Sequence, residues 1–179
     1  MSLNVDHLNV GQSIAVLGRT PETLRGLLVG LPETLLLGDE GSKTFSPYAV
    51  VGHLISGEET DWIPRMRTIL EHGESVPFDP WDRFAFRNWE AKPMNQMLDR
   101  FQELRNRNLE EVRSVELTPE RLALSGTHPE FGAVTLGELI AAWVVHDLDH
   151  MGQIGRVLAK QFGEHVGPWR KYLPVLTRY

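Results

Sequence analysis

From Thr135 to about Phe162 one set of residues advances by alternating steps of three and four: Leu136, Leu139, Trp143, His146, His150, Gln153 and Val157. An α-helix brings that spacing onto a single face, so the segment predicts a long helix whose stripe looks into a core. Thr135 followed by Glu138 is the capping-box pattern that opens it. A helix this one-sided needs other elements to cover its stripe. Two imidazoles one turn apart then fall on the covered face. Buried ring nitrogens without partners cost about 1–3 kcal/mol each.

Three further segments carry helical spacing with legible starts. Thr20-Pro21-Glu22 supplies a cap, a first-turn proline and an acid, followed by Leu24, Leu27, Leu28 and Leu31 and a stop at Pro32. Ser46-Pro47 repeats the start before Tyr48, Val51, Leu54 and Ile55. Pro64 is expected to kink or divide that helix after Ile63, with the remainder running to Gly73. Pro93 opens a third helix carrying Met94, Met97, Leu98, Phe101, Leu104 and Val112, and Thr118-Pro119 begins a short extra turn. Ser125 to Val134, with two glycines and a proline, reads as loop. No strand pattern competes and no repeat is visible, so the expectation is an all-α four-helix bundle with long connections, one domain over residues 1–179. Residues 74–92 are rich in Pro and aromatics, including Phe78, Trp81, Phe84, Phe86 and Trp89. They read either as a packed loop covering one end of the core or as a lid or substrate wall.

Composition narrows the chemistry. The absence of cysteine removes disulfides, thiolate-held metals and a thiol nucleophile of the chain's own. A formal net charge of -6 disfavours nucleic acid as the main partner. Arg100, Arg105, Arg107 and Arg113 cluster in sequence, but Asp99, Glu103, Glu110 and Glu111 interleave with them, which reads as a solvated, charge-paired helix face. No apolar run is of membrane-spanning length and no basic-then-apolar leader is seen, so the default expectation is a cytoplasmic protein.

His146 and His150 are the strongest candidates for metal ligands, since i,i+4 imidazoles on one face can converge on one ion. A single histidine on an apolar face is more often a core residue with one satisfied hydrogen bond. His53, flanked by Val51, Leu54 and Ile55 and followed by Gly57, is the best third ligand. His7, His72 and His165 are expected to be exposed. His128, before Pro129, is expected to be extended; it can approach the site from its loop but is not assigned as a ligand. Asp147 and Asp149 can each accept a proton from a neighbouring ring or simply be solvated.

Several stretches together resemble the DinB-like superfamily of metal-binding four-helix bundles. They are Ser46-Pro47 with VVGHLISGEETDWIPR (Val50 to Arg65), HPEFGAVTLGELI (His128 to Ile140), HDLDHMGQI (His146 to Ile154) and GPWRKYLPVL (Gly167 to Leu176). The similarity runs in order from about Leu17 to about Leu176. The resemblance implies that the family's three metal-binding histidines are His53, His146 and His150 here. It also implies one divalent ion, zinc or nickel, and a homodimer. Members with assigned activity transfer or isomerise groups with a low-molecular-weight thiol such as mycothiol, bacillithiol or glutathione, and others are described as metal-dependent hydrolases.

The expected chemistry is a metal-activated thiol or water directed at a small electrophilic substrate. No residue is assigned a catalytic role. A zincin-like peptidase is a weaker reading, because His146-Asp147-Leu148-Asp149-His150 has a shorter acid where H-E-x-x-H has glutamate. A non-catalytic protein stabilised by its metal is the alternative outside enzymes; a fourth protein ligand would favour it.

Overall fold

The computed structural model describes residues 8–41, 44–82, 84–85 and 92–177. His7, Phe86 and Trp89 lie outside the described residues. The helices are α1 (Val10–Leu17), α2 (Thr20–Leu28), α3 (Glu33–Leu37), α4 (Pro47–Thr60), α5 (Trp62–His72), α6 (Met94–Ser114), α7 (Pro119–Leu122) and α8 (Leu136–Gln161). Between α7 and α8 lies a small hairpin of β1 (Ser125–His128) and β2 (Gly132–Thr135). Short 3-10 turns follow α5 and α8. The four arms of the bundle are α1–α2, α4–α5, α6 and α8. α4 packs on α6 and α8, α2 on α6, and α1 and α5 on α8.

Three of the four capped starts act as the sequence predicts; Thr20 does not, because it falls inside α2 behind Arg19, and its buried Oγ1 caps no amide among the described residues. Ser46 accepts from the Ala49 amide, Thr118 from Arg121, and Thr135 and Glu138 satisfy each other's orphan groups in a complete capping box. Helix α1 was not legible in this way. Its segment VGQSIAVL carries glycine and β-branched residues of low helix propensity, and the Asn9 side chain caps it through the Gln12 amide.

Three further expectations are corrected. The second helix divides at Asp61 rather than after Ile63. Proline can neither donate to the carbonyl four residues back nor fit beside it, so the ladder breaks ahead of Pro64, which then sits in the first turn of α5 where its missing N–H is harmless. Leu31 lies beyond α2, which ends before Gly30 takes a positive φ of 85°. Residues 125–135 are a hairpin, not a loop, paired Ser125↔Thr135 to His128↔Gly132, with Gly132 turning the chain at φ 75°. Gly126 allows the hairpin to lie flat on the core: a Cβ there would meet Phe78 and Ile69 side chains at 2.7–2.8 Å.

Two apolar clusters fill the bundle. One gathers Leu24, Leu28, Val50, Leu54, Met97, Phe101 and Ile154; the other gathers Leu17, Trp62, Ile69, Phe78, Leu109, Leu136 and Trp143. On α4, α6 and α8 alike, buried polar residues fall between the two clusters: Glu58, then Arg105 and Asn108, then Asp147. The connection after α5 packs on the core at one point and on a histidine at another. Phe78 is buried in the second cluster, while Trp81 packs on His53 with ring centroids 4.9 Å apart.

Candidate metal centre

His53 sits mid-way along α4 and is 5% exposed. His146 and His150 sit one turn apart on α8 and are half-buried. The crossing of the two helices brings their rings together. His146 Nε2 lies 3.1 Å from His53 Nε2 and 3.2 Å from His150 Nε2, and one ligand atom from each ring falls within 4.8 Å of the others. No other cluster of this kind occurs among the described residues.

The donor set fits a divalent ion. A proton on one Nε2 can be shared with its neighbours but cannot satisfy three converging lone pairs, whereas a cation can. Two nitrogens each about 2.0–2.1 Å from a tetrahedral zinc lie about 3.3 Å apart, close to the spacings seen here. His150 Nδ1 is 2.9 Å from Gln153 Oε1, so an N–H on that nitrogen leaves Nε2 bare for a metal. Burial, then the neighbouring His150, His53 and Arg105, push His146 down from 6.5 to about 3, so its ring is neutral at ordinary pH. His146 Nδ1 is buried and has no hydrogen-bond partner among the described residues.

Aromatic rings wall the cluster. Phe45 approaches His53 at 5.4 Å between centroids, Trp62 approaches His146 at 5.2 Å, and Trp81 leans over both histidines. Trp81 Nε1 donates to Thr60 Oγ1, and the Tyr48 hydroxyl both donates to the Lys92 carbonyl and accepts from its amide. These bonds tie the middle and the C-terminal end of the long connection to α4. The histidines open onto a cavity of about 590 Å³ that is also lined by Arg65, His128, Phe131 and Asp149. That volume suits a small organic molecule.

Behind the histidines lies a polar layer that the sequence did not announce. Arg105, expected on a solvated face, is 0% exposed. Its Nε and Nη2 donate to Glu58 Oε1 at 3.1 and 2.7 Å; Nη1 and Nη2 donate to Asp147 at 2.6 and 3.1 Å; Nη1 also reaches the Leu17 carbonyl. Trp143 Nε1 and Asn108 Nδ2 complete the shell around Glu58. Burial pushes the Glu58 carboxyl up against the pull of Arg105. Asp147 is therefore neither solvated nor bonded to a histidine, and its engagement with Arg105 removes it from the role of a peptidase base. Asp149 is exposed at the cavity. His72 and His165 are exposed as expected, and His128 is extended in β1 and reaches the cavity wall.

A signal for Arg105 does exist. Phe101, Arg105, Asn108 and Val112 advance by four, three and four, so the arginine shares a stripe with core residues. Glu58 and Asp147 sit four residues after the buried Leu54 and Trp143 in the same way.

The profile of the DinB superfamily matches residues 17–154, a span that includes all three histidines but stops short of Gly167 to Leu176. Among solved structures, YfiT from Bacillus subtilis, described as "a probable metal-dependent hydrolase with an unusual four-helix bundle topology", aligns with a TM-score of 0.71 and 20% identity over 90% of this chain and 93% of that one. At that identity the likeness establishes the four-helix-bundle fold. Among curated proteins none matches.

Proposed function

This chain belongs to the DinB superfamily, and on that premise we propose that it is a metal-dependent enzyme in which His53, His146 and His150 hold one divalent ion, zinc or nickel. The observation that carries this reading is the convergence of three imidazole nitrogens at the floor of a cavity. When bound, the ion supplies Lewis-acid activation of water or a low-molecular-weight thiol as nucleophile toward a small electrophile. With no cysteine in the chain, such a thiol comes from outside.

The chain's own residues prepare the site. The neutral state of His146 keeps its lone pair available at ordinary pH. Gln153 orients His150, and Trp62, Trp81 and Phe45 exclude water from the sides. No fourth His, Asp or Glu joins the cluster among the described residues. A structural ion generally takes four protein ligands, so this favours catalysis over a purely stabilising role. The reading includes a homodimer, supported by the family resemblance, and a cytoplasmic setting, supported by composition. No described helix is long and apolar enough to cross a membrane.

Elemental analysis of tag-free protein tests the site. One divalent ion per chain is expected, and His53→Ala and His146→Ala should each reduce its retention by about tenfold or more. Unchanged metal content in both variants would overturn the three-histidine site. Turnover of an electrophile with mycothiol, bacillithiol, glutathione or water as co-substrate then separates transferase from hydrolase.

A further inference from the structure

The wall of the cavity away from the histidines holds two polar groups that the metal chemistry leaves unused. Arg65, on α5, is only 13% exposed. Its Nε lies 2.7 Å from Asp61 Oδ1, and its guanidinium lies over the Phe78 ring at 5.3 Å. Its terminal nitrogens donate to no described residue, although Arg65 lines the cavity. The guanidinium is thus fixed at one end and by one face, with unspent donors at the other end.

His128 stands on the same Phe78 ring, edge to face at 6.2 Å, and stacks on Phe131 at 4.4 Å. Its Nδ1 accepts from the Glu130 and Phe131 amides at 3.1 and 3.3 Å. In the neutral ring this places the proton on Nε2, facing away from the hairpin turn. Burial, then the nearby Arg65 charge, push His128 down, with Glu130 opposing. The ring is therefore a neutral N–H donor beside a permanent cation.

We propose that Arg65 and His128 form an anion-recognition wall, so that the molecule acted on at the three histidines carries a carboxylate. This deepens the proposed function and rests on it only for the statement that the reaction occurs at those histidines. One guanidinium, partly offset by Asp61, and one neutral donor match a single negative charge better than a dianion. The carboxylates that also line the cavity, Glu130 and Asp149, are both exposed and so screened by water, whereas Arg65 is mostly buried.

The test uses benzoate and its uncharged isostere benzamide, titrated calorimetrically into the full chain both zinc-loaded and after chelation. The wall predicts that benzoate binds about tenfold more tightly than benzamide in both forms. Arg65→Gln should erase the preference while leaving benzamide affinity and zinc content unchanged, and Arg65→Lys should restore part of it. In the wild-type chain, benzoate should also raise the His128 titration midpoint seen by NMR, a readout that needs no variant. Equal affinity for the two probes in the chelated chain, a preference that survives Arg65→Gln there, or an unmoved His128 midpoint each overturns the proposal. The chelated arm keeps the outcome separate from the metal reading: a chain that binds no metal can still show the preference.

Discussion

Asp61 shows how a single residue can couple this fold to pH. Its carboxyl touches Arg65 at 2.7 Å, yet Oδ1 accepts no aligned hydrogen bond. Burial therefore outweighs the arginine and lifts the group from 3.8 to about 6. The folded chain holds this proton more tightly than the unfolded chain does. The associated stability is present at low pH and is lost as pH rises from about 4 to about 6, a difference of roughly 3 kcal/mol. Asp61→Asn should remove that loss. Relative to wild type, its unfolding free energy should improve by about 2–3 kcal/mol between pH 4 and pH 7. Urea unfolding of both proteins across that range checks it, and a constant difference would contradict the buried-carboxyl account. Sequence could not supply this, because Asp61 reads as an ordinary acid until its surroundings are known.

At the scale of elements, Arg105 on α6 bridges the two helices that bear the histidines. Glu58 is five residues after His53 on α4, and Asp147 is beside His146 on α8. Arg105→Met would strand two buried carboxylates and is expected to cost about 3–5 kcal/mol. Neutralising the acids as well, with Glu58→Gln and Asp147→Asn, should recover part of that loss, since the cost lies in the unpaired charges. Denaturant midpoints of the single and triple variants read this out; a triple variant no more stable than Arg105→Met would show that packing, not charge, is what Arg105 provides. The helices themselves were legible, from Ser46, Thr118 and Thr135 as caps, from Pro21 in the first turn of α2 and from three-and-four spacing. The hairpin was not, because strands of four residues, SGTH and GAVT, carry too little alternation to distinguish from loop.

For the molecule as a whole, an ion held at the proposed site would be linked to folding. An ion held at a concentration a hundredfold above its dissociation constant stabilises by about 2.7 kcal/mol. For a chain of this size that corresponds to a fall in Tm of about 5–10 °C on chelation. The His146→Ala chain should show no such fall. A wild-type Tm indifferent to chelator, measured by calorimetry, would argue against an ion held by the folded state.

The sequence by itself determined the long helices, their caps and the presence of two histidines on one buried face, because helical period and capping are local properties of the chain. It also made His53 the preferred third histidine, through its apolar neighbours and the family resemblance. Only the tertiary structure decided that the three ring nitrogens lie within reach of one another, that Arg105 leaves water for Glu58 and Asp147, and that Arg65 and His128 share a wall with the histidines. Each of those facts is a distance between segments far apart in sequence. The desolvation that makes such contacts matter exists only once the core has closed around them.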